Sequence, residues 1–464
     1  MEHVRCERWA EQEFGKSDLG DPRRTRRLVL VGAGAASNPA GKITEIFSRS
    51  AEREGAFRLL ENTQISPHEI ARATHFAAAQ RCFGQPFVFV PLDGSSLRIT
   101  DTEGKKGLGI VGSRKVGARG LCVMTAIGVL KDGTPVGVLG QQFWARTEPS
   151  PAQKKDRRPV EQKETRYWLE VMEQVRKSLR DKEHSPKPWF QEDRGADAWP
   201  VLMAAVENGD LLTVRAAYDR RLKAEFQGKR DYVWSRLKRQ TVGGYYTLQV
   251  PGGRHRQERT AWMQLKWCPV VLDLMDARTK KHFAAPVWAV HVKEIKTVPA
   301  GEQAIEWMLL TTYPVKTVED AQLVLDGYTT RWRIEEFHKI WKTGACRVEQ
   351  TQLRAVDHIE RWATIMASVA MRILRLSYIG RAQPEASAAA ELTKAEIQAV
   401  LLLRKPTGVS VEETPTMGQI VLWIAELGGY TGKSSGGPPG PLVLTRGFRK
   451  VAILAAVLDE KEKM

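Results

Sequence analysis

The hydrophobic pattern changes period several times along the chain. Up to about residue 75 the apolar side chains recur at helical spacing, and the punctuation is that of helix starts. Asp21-Pro22 places an N-cap before a proline at the first helical position, and Ser66-Pro67-His68-Glu69 carries the reciprocal S-x-x-E cap of a helix running to about Ala79. From Phe87 the pattern becomes that of strands. Phe87 to Asp93 reads as a buried strand ending in an acid, and Cys122 to Leu130 and Pro135 to Trp144 form a hairpin around Lys131-Asp132-Gly133-Thr134.

A charged linker, Ser150 to Arg158, leads to a helix over about 160 to 180. Then come a short strand from Pro188 to Asp193, a helix from Ala198 to Asn208 and a strand from Leu211 to Arg215. Three antiparallel strands, then helix, strand, helix, strand is an α/β order similar to a ribonuclease-H-like core. In that class carboxylates sit at strand ends on one sheet edge, where Asp93 and Asp193 would lie.

Residues from about 220 to 315 read as a β-rich insertion ahead of a further helical segment, with strands at Gly243 to Val250, Ala261 to Leu265, Val270 to Leu274, Pro286 to Val292 and Trp307 to Thr312. A helix follows over about Val356 to Leu376. Ala382 to Ala390 reads as a boundary, beyond which two or three helices surround a Gly-, Ser- and Pro-rich loop from Lys433 to Pro441. The expected organisation is a helical domain over 1–75, an α/β core over 76–378 and a helical domain over 379–464.

Composition narrows the class. The 464 residues carry a net charge of +17, which points to a polyanionic partner, nucleic acid above all; a basic membrane-surface or ribosome-associated protein would show the same balance. Arg23, Arg24, Arg26 and Arg27 crowd the start of one helix and suit phosphate contact as well as a solvated basic face. No apolar run reaches the roughly 18 residues of a membrane span, and the acidic N-terminus lacks a secretory apolar region, so a cytoplasmic, nucleoid-associated protein is expected. The five cysteines are scattered singly, which favours neither disulfides nor a zinc site. His68, His75 and His338 read as ordinary surface rather than ligands.

The chemistry concentrates in Tyr328-Thr-Thr-Arg331-Trp-Arg-Ile-Glu335-Glu-Phe-His-Lys-Ile-Trp-Lys342. On one continuous helix, Tyr328, Arg331, Glu335 and Lys342 would share an arc of roughly 60°. A carboxylate that can hold a hard metal ion, flanked by cations that can grip phosphates, suits phosphodiester chemistry; a charge-paired solvated face is the alternative. Glu192, Glu336 and Asp197 are rival acids. Strand alternation turns Glu192 away from Asp193, and Glu336 lies about 100° around the helix from Glu335.

Asp93-Gly-Ser-Ser-Leu, Asp193-Arg-Gly-Ala-Asp and Tyr-x2-Arg-x3-Glu-x6-Lys together resemble the DDE transposases of the IS-four family, over most of the chain. Gly20-Asp-Pro-Arg-Arg-Thr and Glu54-Gly-Ala-Phe57-Arg are similar to that family's end-recognition domain. The resemblance implies a cut-and-paste transposase whose Asp93, Asp193 and Glu335 hold two Mg²⁺ ions, with Mn²⁺ as a substitute. It implies a homodimer that synapses two double-stranded transposon ends, cuts them through a hairpin and joins the 3′ ends to target DNA. Tyr328, Arg331, Lys342, Arg194 and Arg215 would contact strand phosphates, and Trp307 would stack a flipped base. Gln191 and Glu192, polar where the family is apolar, make the burial of their strand an open point. Thr351 and Ala217 stand where the family has basic residues. A nuclease of the same fold that never joins, and a catalytically silent DNA-binding inhibitor, are the rival functions.

Overall fold

The computed structural model describes residues 7–112, 117–146, 158–180, 185–250, 257–296, 298–410, 413–432 and 437–462. Five helices open it: α1 (Glu7–Phe14), α2 (Pro22–Ser37), α3 (Ile43–Ile46), α4 (Ser50–Glu61) and α5 (Pro67–Gln80). Asp21 caps α2 as its sequence requires, accepting from the Arg23 backbone N–H at 2.8 Å. Ser66 caps α5 through the His68 N–H, but the reciprocal arm is diverted: the Glu69 carboxylate takes Arg72 at 2.7 Å instead.

The strands are β1 (Phe87–Arg98), β2 (Gly109–Ile110), β3 (Arg119–Val129), β4 (Pro135–Trp144), β5 (Lys187–Glu192), β6 (Leu211–Arg215), β7 (Arg221–Phe226), β8 (Lys229–Tyr232), β9 (Gly244–Val250), β10 (Arg259–Met275), β11 (His282–Glu294) and β12 (Glu306–Thr311). Helix α6 (Thr165–Leu179) joins β4 to β5, α7 (Trp199–Asn208) joins β5 to β6, and α8 (Val233–Lys238) follows β8. The core runs β4-β3-β1-β5-β6, with β1, β5 and β6 parallel and the β1-β3-β4 meander antiparallel. This is the ribonuclease-H-like α/β arrangement expected of the sequence.

The insertion does not form a sheet of its own. β12 pairs with β6, and β11, β10 and β7 continue outward, so core and insertion share one 12-stranded sheet. The two strands read at 261–265 and 270–274 are one 17-residue strand, β10. Its buried residues switch from odd positions (Ala261, Met263, Leu265) to even ones (Cys268, Val270, Leu272, Leu274). The strand is covered on one face in its first half and on the other in its second, a change of covering layer that imitates two strands with a break.

After the sheet come α9 (Val318–Thr329), α10 (Trp332–Lys342), α11 (Val356–Ala382), α12 (Lys394–Arg404), α13 (Met417–Leu427) and α14 (Pro441–Glu462). α11 extends past the expected end and is the central pillar. The N-terminal helices, one sheet face and α11 share a single apolar cluster, the other sheet face packs with α6 and α7, and α12 to α14 have a third cluster. Arg361 of α11, 3% exposed, donates to the Leu60 and Ile65 carbonyls at 2.7 Å each, tying the end of α4 to the pillar. Most of the Ser150–Arg158 linker and the 433–436 part of the Gly-rich loop lie outside the described residues.

Candidate active site

The parallel ladder between β1 and β5 has its last rung at Leu92 and Glu192. Asp93 and Asp193 are the next residues on each chain, where the two strands part. β1 continues to Arg98 alongside β3 alone, so Asp93 stands inside a strand and not at its end. Asp193 caps a 3-10 turn, its Oδ1 accepting from Gly195 N–H at 2.7 Å, and Asp93 Oδ1 accepts from Gly94 N–H at 2.8 Å. The doubt over the β5 end is resolved by burial: Gln191 and Glu192 are both 0% exposed.

Glu335 arrives from the opposite side. Its helix is not continuous back to Tyr328: α9 stops at Thr329 and α10 begins at Trp332. Thr330 and Arg331 form a tightened joint, with Thr330 N–H to Gly327 O at 3.0 Å, Arg331 N–H to Tyr328 O at 3.2 Å and Ile334 N–H to Arg331 O at 3.1 Å. Such i→i+3 bonds wind the chain tighter than an α-helix, so the uniform arc drawn for four side chains does not hold. Gly327 lets α9 lie on the sheet here: a Cβ would stand 2.6 Å from the Phe89 ring. Ile334, Phe337, Ile340 and Trp341 bury the inner face of α10, and Trp341 Nε1 donates to Ala363 O of α11 at 3.0 Å. Glu335 is therefore held on the outward face of α10, within reach of Arg331.

Arg331 joins the two sides. Its Nη2 donates to Glu335 Oε1 at 2.8 Å, and its Nη1 lies 3.8 Å from Asp93 Oδ2. Burial, and next the charge of Asp193, push the Asp93 carboxyl up to about 6; Arg331 opposes the shift and Glu335 adds to it. Each acid thus raises the cost of ionising Asp93, which a bound cation would relieve. Among the described residues no three His, Cys, Asp or Glu side chains stand as a ready-made ligand set for one ion. The donor chemistry nevertheless suits a hard divalent cation: all-oxygen ligands and an undercompensated carboxylate.

The rival acids are occupied elsewhere. Asp197, 4% exposed, accepts from Arg220 Nε at 2.6 Å and from Ala217 N–H at 2.7 Å. Glu336 accepts from the Tyr378 hydroxyl at 2.6 Å. Glu192 shares a sheet face with Leu92 and Val214; neither carboxyl oxygen has a partner, and burial pushes its pKa well up.

A groove of about 1640 Å³ runs past Glu335 between α10 and the insertion, lined by Arg194, Arg215, Trp307, Trp332 and Lys339 among others. Trp307 is half-buried, its ring edge-on to Tyr328 at 5.4 Å. Tyr328 itself is 5% exposed, so it supports Trp307 and Arg331 from within. Arg215 donates to Glu306 O at 3.1 Å. Lys342 crosses to Ser95 Oγ at 3.2 Å, with Glu349 3.9 Å away. Of the N-terminal arginines, Arg23 pairs with Asp21 at 2.9 Å and Arg24 donates to Leu19 O at 3.0 Å, while Arg26 and Arg27 are exposed. His75 and His338 are buried, at 6% and 8% exposure, and not the surface residues expected; His68 is exposed.

Spacing did not reveal a second cationic set. Arg333 and Arg381 lie 3.9 and 4.5 Å from the Tyr378 ring centre, at the groove's edge. They come from α10 and α11, 48 positions apart in sequence numbers 333 and 381, and only the packing of those helices joins them.

A ribonuclease-H-like sheet with acids at the parting of its central parallel strands, facing a helix-borne glutamate, defines a class of metal-dependent nucleases and transposases. The family model described as "Transposase DDE domain" matches residues 141–372, half of the chain, and one described as "Transposase DNA-binding" matches residues 6–65. The chain belongs to the DDE transposase family: it is a DNA transposase with DNA as its partner. The catalytic match spans Asp193 and Glu335, and Asp93 lies ahead of it. No described helix is long and apolar enough to cross a membrane.

Proposed function

We propose that this transposase works by cut-and-paste, as the family resemblance of its motifs implies. It binds its element's ends, cuts them through a hairpin and joins the 3′ ends to target DNA. The observation that supports the reading is Arg331 standing between Glu335 and Asp93, with Asp193 close enough to raise the Asp93 carboxyl. Asp93, Asp193 and Glu335 would hold the divalent ions, two Mg²⁺ with Mn²⁺ as substitute, which when bound activate the attacking oxygen and stabilise the leaving one.

The chain's own groups supply placement. Arg331 orients Glu335 and neutralises part of the carboxylate charge, so a phosphodiester can approach. Arg331 and Lys342, beside Asp93 and Ser95, and Arg194 and Arg215 along the groove contact strand phosphates, and Trp307, braced by Tyr328, offers an aromatic face to an unstacked base. Arg23, Arg24, Arg26 and Arg27 bring the N-terminal helices to the end duplex. The domains divide near 75 and 378, the C-terminal helices 379–464 assemble the dimer, and the protein works at the nucleoid.

Full-length protein, candidate terminal inverted repeats and Mg²⁺ should yield nicked, hairpin and joined species on a denaturing gel. Nicks without hairpins or joined products would support a nuclease that never transfers.

A further inference from the structure

The acids stand between two grooves. One is the 1640 Å³ groove reached from Glu335. The other, of about 460 Å³, shares none of the first groove's residues and is lined by Asp93, Asp193, Ser95, Ser96, Trp144 and Arg146 among others. Two of the three acids face this second groove, the third faces the first, and Lys342 reaches across to Ser95.

In-line displacement at phosphorus places the entering and leaving oxygens on opposite sides of the reacting atom. A strand-transfer enzyme must therefore admit two DNA segments to its acids from different directions. The first groove has the cations and the tryptophan that suit the end carrying the 3′-hydroxyl. We infer that the second groove receives the strand under attack, with Arg146 gripping its phosphate. This rests on the strand-transfer reading above.

Three observations support the assignment. Arg146 already makes a fork-to-fork contact with an oxyanion: its Nη2 donates to Glu164 Oε2 at 2.7 Å and its Nε to Oε1 at 2.5 Å. That is the bidentate geometry a phosphate would take, and both side chains are near half exposed, at 42% and 50%, so the exchange needs no unfolding. Gly94, directly after Asp93, and Gly195, two residues after Asp193, each donate a backbone N–H to the neighbouring carboxylate and leave the backbone open on this side. Trp144, stacked on Tyr167 at 3.8 Å, gives the wall a rigid aromatic surface.

In the step, the donor's 3′-oxygen forms a bond to phosphorus while the bond to the attacked strand's own 3′-oxygen breaks. The attacking hydroxyl loses its proton to solvent and the departing oxygen gains one, so one phosphodiester replaces another. The attacked strand is the opposite strand of the same end in hairpin formation, and target DNA in joining; the chemistry is shared.

The test uses full-length protein, end duplexes, a target plasmid and Mg²⁺, with nicked, hairpin and joined products quantified separately. Arg146→Ala should lower the ratio of joined to nicked product about tenfold, the size of one charge-assisted contact. A parallel fall in the hairpin-to-nick ratio assigns the groove to both attacked strands; an unaltered hairpin ratio assigns it to target alone. Glu164→Gln, which also breaks the ion pair, should keep or raise the joining ratio. With 3′-dideoxy ends, which cannot react, Arg146→Ala should weaken capture of a labelled target duplex by a similar factor. Unchanged ratios and capture in Arg146→Ala, or the same loss in Glu164→Gln, overturn the inference. Absence of any nicking by the unsubstituted protein overturns the catalytic reading beneath it.

Discussion

Arg331 Nη2 lies 2.8 Å from Glu335 Oε1, four residues on along the chain, and the same guanidinium reaches toward Asp93 with its other nitrogen. An arginine thus fixes the side chain that spacing alone would leave free on a helix surface. Arg331→Ala and Lys342→Ala should each weaken complexes with end DNA, and each should reduce the slope of log affinity against log salt by about 1. Gel shifts over a salt series measure it; an unaltered slope in either variant argues against phosphate contact at that residue.

Gly327 sets how closely α9 lies on the sheet. A methyl group at this position meets the Phe89 ring at 2.6 Å and Gln191 Nε2 at 3.0 Å. Gly327→Ala should cost about 1–3 kcal/mol by overpacking and lower end cleavage, because the Arg331 joint moves with α9. Thermal unfolding and cleavage rates are the readouts, and a variant as stable and active as the parent would show that the helix has room to lift.

Burial pushes both His75 and His338 down to about 3, with the charges of His68 and Lys342 as the respective lesser causes. The unfolded chain takes up these protons below about 6.5 while the folded one does not. Their contribution is complete above that value and is lost as pH falls from 6.5 toward 3, at up to about 1.4 kcal/mol per pH unit each. His75→Gln and His338→Gln should each flatten the decline of denaturation midpoint between pH 7 and 5. An identical decline would place the acid sensitivity elsewhere.

Glu192 sits in an apolar layer with both carboxyl oxygens unpartnered, and its pKa is raised by burial and then by Asp193. The unfolded carboxyl ionises above about 4.3 while the folded one stays neutral, so stability drains as pH rises through that value. Glu192→Leu should stabilise the protein by about 1–3 kcal/mol, more at pH 8 than at pH 5. Destabilisation at both values would mean that the carboxyl has a partner worth keeping.

Much of the core was legible because its elements obey local rules. β4 and β6 begin and end where turn residues and apolar runs place them, and the Asp21 cap is made by a side chain next to its own donor. What was not legible depends on which layer covers what. β10 looked like two strands because its covered face changes midway, and α9 and α10 looked like one helix because a two-residue 3-10 joint leaves no mark in hydrophobic spacing. The burial of His75, His338 and Glu192 is decided by neighbours distant in sequence, and the Arg333–Tyr378–Arg381 group exists only through helix packing. Asp93, Asp193 and Glu335 were read from motifs; the fold puts the first two where parallel strands part and the third on a helix anchored by Trp341, with Arg331 between Glu335 and Asp93.

The central claim is that Asp93, Asp193 and Glu335 act as one site on DNA. It is tested most directly by comparing Asp93→Asn, Asp193→Asn and Glu335→Gln with the parent in a timed nicking assay on end duplexes with Mg²⁺, alongside end binding by gel shift. Each variant should bind ends and nick them at least roughly a thousandfold more slowly, the scale of several kcal/mol of transition-state stabilisation. Nicking within about tenfold of the parent in any one of them, at equal binding, would contradict the claim.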